Sequence, residues 1–409
     1  MFESPKRHHH SNGTLAGNPS GERRRCRNAG SARGSGLGSL PQGTGPCEEM
    51  TSRLASSGLP PLSDTKSRWT GSTLDANPRS MSRNILVCGG GGFVGSHLVR
   101  RLKAEGNTVV AADLARPRYG PSPADKFYQG DLCEPEFITD VFRQSYDEIY
   151  QLAADMGGAG YVFVGNNDAT IMRNSTRINL NVLDAVRQSG CGRIFFSSSA
   201  CVYPELITDA LNIGCRESDA YPATPDSDYG WEKLFAERLY GAYGRNHGLA
   251  VRIARYHNVF GPEGAWANGR EKAPAAICRK VALATAGEPI EIWGDGRQIR
   301  SFLYIDECLE GTLRLMRSDF CGPTNIGSDR MISINELVDL VADIAGKKIA
   351  RVYTDGPVGV RARCSDNALI EEQLGWKPGV ELRSGLEATY RWIEAELATG
   401  RSDSAFKAA

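Results

Sequence analysis

Seven residues constrain this chain more than any others: Gly89-Gly90-Gly91-Gly92-Phe93-Val94-Gly95, set directly after the apolar run Ile85-Leu86-Val87-Cys88. Gly89, Gly92 and Gly95 stand at the spacing G-x-x-G-x-x-G. The first permits a tight turn at a strand end, the second lets backbone approach a pyrophosphate, and the third lets the next helix pack closely on the sheet. Leu98, Val99 and Leu102 then recur at helical spacing, and Gly106 supplies a stop. Val109–Ala112 reads as the next strand. This order predicts the opening of a parallel sheet in a Rossmann-type α/β fold, with phosphates held by the unpaired N–H groups at the helix start, Phe93 and Val94 among them. A glycine-rich turn is also a common structural device, and it is the flanking strand and helix that make it a dinucleotide site.

Asp113 ends the second strand, 18 residues after Gly95. A carboxylate there accepts hydrogen bonds from ribose hydroxyls and repels a 2′-phosphate, which favours NAD over NADP; nearby Arg116 and Arg118 pull the other way. Asp131, in Gly130-Asp131-Leu132, is placed to reach the adenine or else is a surface residue. Further strands are expected at Glu148–Leu152, Arg193–Ser197 and Leu249–Ile253, separated by helices such as Asn179–Ser189 and Tyr229–Tyr243. After about residue 256 the rhythm loosens into Gly/Pro-bearing loops with helices at Ile334–Ala345 and Gly385–Leu397. The expectation is a doubly wound NAD-binding domain over 81–255 and a smaller C-terminal α/β substrate-binding lobe over 256–400.

Residues 1–80 are of a different kind. Gly, Ser and Pro fill 31 of these 80 positions, leaving too little apolar surface to offset the entropy of ordering them. A disordered extension is expected, whether a flexible tail, a targeting segment or a stretch upstream of a true start at Met81. Its His8-His9-His10 run is a poor defined metal site. Residues 401–409 are expected to be a flexible tail. Lys+Arg and Asp+Glu each total 48, so there is no basic surplus to hold nucleic acid. No apolar run of about 18 residues occurs, so no membrane span is expected. The eleven cysteines lack a C-x-x-C pair or zinc spacing, which predicts no metal and suits a reducing, cytoplasmic compartment.

Tyr229 and Lys233 form Y-x-x-x-K at the start of a predicted helix, on one face of it. An ammonium beside a phenol lowers the phenol pKa and makes a phenolate available as a base. Lys233 is also placed to hold the nicotinamide ribose. Thirty residues upstream, Ser197-Ser198-Ser199-Ala200-Cys201-Val202-Tyr203 follows a strand, where ligands of parallel sheets bind. Each motif alone is common; an ordinary amphipathic helix also carries Y-x-x-x-K. Their order along the chain is specific.

From Asn84 to Leu397 the chain resembles the extended short-chain dehydrogenase/reductases that act on nucleotide sugars. The runs that carry the resemblance are LAADMGGAG (152–160), SSACVYPE (198–205), YGWEKL (229–234), GREKAPAA (269–276), CRK (278–280), WGDGRQIRSF (293–302), IDE (305–307), NIGSD (325–329) and RARCSDN (361–367). Among its branches they are most similar to those that epimerise GDP-mannose. The resemblance implies that Tyr229 takes the sugar O4 proton as hydride passes from C4 to NAD⁺, helped by Ser199 and Lys233. The 4-ketone acidifies the C3 and C5 hydrogens, and Cys201 and Lys272 are the implied acid/base pair. A 4,6-dehydratase of this family would show an Asp-Glu pair where Ala200-Cys201 stand.

The same resemblance implies sugar contacts at Gly157 and Gly158, substrate contacts at Glu271 and Ala273, and nucleotide or diphosphate contacts at Asn258, Lys280, Gln298, Arg300 and Arg363. It also implies a homodimer, through the helices near Asn179–Ser189 and Tyr229–Tyr243. Trp231 and Tyr203 are expected only to pack. Two rival readings stay open: a simple 4-epimerase using the same Tyr/Lys apparatus, and a non-catalytic dinucleotide-binding protein.

Overall fold

The structure, a computed structural model, describes residues 82–205, 214–285 and 287–400. The extension expected at 1–80 and the tail at 401–409 lie outside the described residues. Seven strands, β1 (Asn84–Cys88), β2 (Thr108–Asp113), β3 (Lys126–Gln129), β4 (Glu148–Gln151), β5 (Arg193–Ser199), β6 (Ala250–Tyr256) and β7 (Pro323–Ile326), make one sheet in the order β7-β6-β5-β4-β1-β2-β3. Every neighbouring pair is parallel. From β1 the chain runs outward to β2 and β3, then returns to lay β4 on the other side of β1. That reversal opens a crevice beyond the carboxyl ends of β1 and β4.

The helices cover both faces, as a fully parallel sheet requires. Side chains alternate along β1. Leu86 and Cys88 join a core with Val182, Leu183 and Val186 of α2 (Asp168–Ser189) and Ala236 and Tyr240 of α3 (Asp228–His247). Ile85 and Val87 face the opposite core with Leu98, Val99 and Leu102 of α1 (Phe93–Ala104). The doubly wound α/β fold is therefore present.

Two of the seven strands were not legible in the sequence. β3 reads KFYQ and is half exposed at the sheet edge, so it lacks an apolar signature. β7 reads PTNI; its proline is tolerated because it begins an edge strand. The chain thus comes back to the sheet well after residue 255. The helix Ile305–Arg317 also adds Cys308, Leu309, Leu313 and Met316 to the core beneath α1.

The remaining C-terminal residues build a smaller layer. A four-stranded mixed sheet is ordered Met331–Ser333, Ile299–Ser301, Ala362–Ser365, Gly214–Cys215. A parallel ribbon pairs Pro289–Trp293 with Ala350–Thr354. The helices Ala273–Leu283, Ile334–Ala345 and Leu382–Ala398 pack through Ile277, Val281, Leu337, Val341, Leu386 and Ile393. No helix among the described residues is long and apolar enough to cross a membrane.

Candidate active site

The glycine turn is held by its own backbone. Gly89 N–H donates to the Ala112 carbonyl at 2.8 Å, and Gly89 sits at φ +83°, which a side chain would strain. A Cβ on Gly95 would lie 1.9 Å from the Gly89 carbonyl oxygen, so any other residue would push α1 off the turn. Around Gly92 there is space: a Cβ there would meet only the Gly89 oxygen, at 3.4 Å. The N-terminus of α1 carries no side-chain cap and no acidic residue in its first turn. Its unpaired N–H groups, beginning at Phe93 and Val94, therefore fit an anionic phosphate. Asp113 faces this turn, accepting from Gly91 N–H at 2.9 Å and Ala115 N–H at 3.0 Å. A ribose hydroxyl donating to this carboxylate would join the backbone N–H groups of the turn that already face it. Burial raises the Asp113 pKa against those backbone bonds. Asp131 is exposed and accepts from Cys133 N–H at 2.8 Å, closing a local turn. These residues fit a dinucleotide: pyrophosphate at Gly89–Gly95, adenosine ribose at Asp113.

The second half of the site grows from the end of β5. Ser199 caps a single turn of 3-10 helix, Ala200–Val202, its oxygen accepting from Cys201 N–H at 3.2 Å. Its hydroxyl lies beside the Tyr229 phenol and acts to lower that group's pKa against burial. α3 starts beside this turn because Ser227 caps it, accepting from Gly230 N–H at 3.2 Å. A Cβ on Gly230 would lie 2.1 Å from the Cys201 carbonyl oxygen, so that glycine lets the two segments touch. Tyr229 and Cys201 pack in one apolar cluster with Val162 and Ile171. Burial, then the neighbouring Cys201 and Glu232, raise the Tyr229 pKa. Cys201 is pushed up to about 11 by burial and by the Asp226 carboxylate. Lys272 is pushed down by burial, while Cys201 pulls it back up; each group acts on the other's titration across the site.

Lys233 is buried, and its ammonium stands 3.7 Å from Glu232 Oε2, 5.0 Å from the centre of the Phe196 ring and 5.6 Å from that of Tyr229. It lies against the face of the phenol ring, and burial dominates the phenol pKa. Glu232 is fixed by Asn179, whose amide donates to Oε1 at 3.0 Å, while Oε2 has no hydrogen-bond partner. The buried Lys233 nitrogen thus faces a carboxylate oxygen that no other group satisfies.

Two distant runs, 152–160 and 269–276, meet. Gly158 N–H donates to the Arg270 carbonyl at 3.0 Å, and a Cβ on Gly158 would lie 2.2 Å from the Glu271 carbonyl oxygen. Gly157 makes room for the Tyr161 side chain. Gly158 thus lets the two runs approach, which presents Lys272 at the start of the helix that Ala273 begins, while Gly157 serves packing within its own run. Glu271 accepts from Gly269 N–H at 2.6 Å and pairs with Arg279 at 3.4 Å. Arg300 lies near Cys201 and Arg363; burial and the Arg363 charge lower it to about 10. Arg363 is buried and paired with Asp226 at 2.6 Å. Asn258, at φ +35°, donates to the Ser301 carbonyl at 3.0 Å. Lys280 and Gln298 instead both hold the strand Pro289–Trp293, donating to the Glu291 carbonyl at 2.6 Å and the Trp293 carbonyl at 3.0 Å. The geometry therefore gathers Ser199, Cys201, Tyr229, Lys272, Arg300 and Arg363, whereas Lys280, on the helix Ala273–Leu283, and Gln298, in the loop before Ile299, are tied to the strand Pro289–Trp293.

Residues 85–327 match the NAD dependent epimerase/dehydratase family. The chain belongs to that family. It is 46% identical over 321 residues to a GDP-mannose 3,5-epimerase of Arabidopsis thaliana, covering 78% of this chain and 84% of the relative. Among solved structures it resembles a UDP-glucose 4-epimerase of Thermotoga maritima crystallised with UDP-glucose, at TM-score 0.69 and 28% identity over 77% of this chain and 99% of that one. A Thermus thermophilus UDP-glucose 4-epimerase in complex with NAD aligns at TM-score 0.65 and 26% identity, over 76% and 98% of the two chains.

Within this epimerase/dehydratase frame, the residues that sequence reasoning missed are the supports. Asp226, Glu232, Asn179 and Gly230 bear no motif of their own; only Gly230, inside Tyr229-Gly-x-x-Lys233, carried a signal, since a glycine in a helix interior asks for a packing reason. Tyr203 packs as expected, fully buried. Trp231 does not: it is 44% exposed, because it points away from the sheet on the outer face of α3.

Proposed function

We propose that this chain is an NAD-retaining nucleotide-sugar epimerase that acts on GDP-mannose, inverting C3 and C5 through a 4-keto sugar to give GDP-L-galactose. One observation supports the reading: beyond the end of β5, Ser199 and Cys201 act on Tyr229, and Cys201 and Lys272 act on each other. Bound NAD supplies a place for the C4 hydride to go and to return from. Tyr229 receives the O4 proton, with Ser199 stabilising the phenolate by donating to it. The new carbonyl makes the C3 and C5 hydrogens acidic. Burial favours the neutral forms of both other groups, a protonated thiol at Cys201 and an uncharged amine at Lys272. One group therefore donates while the other accepts, and they stand on separate segments, as inversion across a ring requires. Once the configuration is changed, the Tyr229 proton returns to O4 as C4 is reduced.

The identity to the Arabidopsis relative supports GDP-mannose as the substrate. The test is incubation with GDP-mannose in deuterated water: label enters at C3 and C5, whereas a simple 4-epimerase leaves both carbons unlabelled. Unlabelled product would end this reading.

A homodimer across α2 and α3 belongs to the same proposal. Trp231 and Phe235, one turn apart on α3, are 44% and 51% exposed, and Met172 and Leu180 are exposed on α2. The nine described cysteines are all unpaired, which supports a reducing compartment such as the cytoplasm. The division into an NAD-binding part and a C-terminal substrate lobe is likewise supported by the lobe's supply of Lys272, Arg300 and Arg363.

A further inference from the structure

Arg363 enters the site from the strand Ala362–Ser365, yet its guanidinium is engaged by the chain itself. Nη1 pairs with Asp226 Oδ2 at 2.6 Å, and Nη2 donates to the Tyr203 carbonyl at 3.2 Å. The side chains are 6% and 2% exposed. Tyr203 closes the short turn that carries Cys201. Asp226 accepts at Oδ1 from the Ser227 hydroxyl at 2.7 Å, and Ser227 caps the helix that begins Asp228-Tyr229. One ion pair therefore ties the start of the Tyr229 helix to the end of the Cys201 turn. At the same junction Gly230 seats that helix against the Cys201 carbonyl.

We infer that Asp226 is a positioning residue, which through its buried ion pair with Arg363 clamps the Cys201 turn to the Tyr229 helix and so aligns the proton-transfer thiol with the C4 oxidation site. A buried ion pair is a weak device for stability, because an apolar pair of similar volume does as well; its use is to fix one geometry. Here the geometry fixed is that between two chemical groups which must reach adjacent carbons of one sugar. The inference rests on the proposed epimerisation for its catalytic meaning, and on the contacts alone for the clamp.

The charged and titratable groups around Cys201 are Asp226 and Arg363, Lys272 from the neighbouring segment, Arg300 and Tyr229. Asp226 holds the thiol protonated and Arg363 opposes it. Replacing Asp226→Asn leaves Arg363 uncompensated, so the thiolate becomes easier to form and Cys201 reacts faster.

The experiment uses the full-length holoprotein and two readouts. Alkylation by iodoacetamide, followed peptide by peptide, reports Cys201. NADH formation and deuterium entry at C3 and C5, both with GDP-mannose, separate oxidation from proton transfer. For Asp226→Asn, Cys201 alkylation at neutral pH rises about tenfold while buried Cys88, Cys278 and Cys308 stay unreactive, which excludes general loosening. Deuterium entry falls about tenfold more than NADH formation, because a small misplacement costs the step that needs the thiol. Arg363→Lys keeps both charges but loses the fork, so alkylation stays within about twofold while deuterium entry still falls about tenfold relative to NADH formation. Asp226→Glu restores part of the deuterium entry. The inference is overturned if Cys201 alkylation in Asp226→Asn matches the parent, or if deuterium entry and NADH formation fall together in both variants. Should the parent protein itself take up no deuterium, the proposed reaction fails, and the alkylation arm still tests whether the Asp226–Arg363 pair acts on Cys201: an unchanged rate in Asp226→Asn overturns the inference on its own.

Discussion

The two halves of the site are built by different means. The dinucleotide half is backbone: a glycine turn with N–H groups, an uncapped helix end and one aspartate, all within residues 89–113. The half proposed for proton transfer is side chains: Ser199 and Cys201, Tyr229, Lys272 and Arg363 come from four separate segments of the sequence. A site made of local backbone depends on what cannot stand at a position. A site made of convergent side chains depends on the packing that delivers them, here Gly230 against Cys201 and Gly158 against Glu271.

The sharpest way to separate the halves is Cys201→Ala. It should cut deuterium entry from GDP-mannose about a thousandfold, in the range for loss of an acid/base group, and leave NAD bound to the purified protein. Full activity would remove the thiol from the reaction. Gly95→Ala is the mirror test. A Cβ 1.9 Å from the Gly89 oxygen displaces α1, and NAD recovered from the denatured protein should fall about a hundredfold, with a stability loss of about 1–3 kcal/mol. Normal NAD content would mean that the turn does not hold the cofactor.

Gly158→Ala probes delivery. Its Cβ would press on the Glu271 carbonyl and shift the Lys272 segment, so deuterium entry should fall about tenfold at constant NAD content. Loss of NAD instead would show that the halves are not separable. The smallest effects sharpen the contrast. Gly92→Ala meets only one atom at 3.4 Å, so melting of the NAD-free chain should move by less than about 0.5 kcal/mol while NAD affinity drops. Finally, alkylation of Cys201 should rise with pH toward a midpoint of about 11 rather than the ordinary 9.0, since burial and Asp226 both oppose the thiolate. A midpoint at or below 9.0 would mean that the thiol is already activated in the free chain.

What the sequence by itself determined follows physical locality. β1, the glycine turn, α1 and β2 were legible because each signal spans a few residues: an apolar run, forced glycines, a 3.6-residue period. Tyr229 and Lys233 were legible as a spacing on one helix. The edge strands β3 and β7 were not: β3 is half exposed, and β7 is buried but carries the polar Thr324 and Asn325, whose hydrogen bonds to Glu217 and Cys215 form only in the fold. The pairing of Lys272 with Cys201 came from the family resemblance and from no local signal, because the meeting of runs 152–160 and 269–276 that presents Lys272 exists only in the folded chain. Tertiary structure alone decided that Arg363 is engaged by Asp226, 137 residues away in the chain. A charged side chain is written in the sequence, but which opposite charge neutralises it depends on burial and distance, and both exist only after the chain has folded.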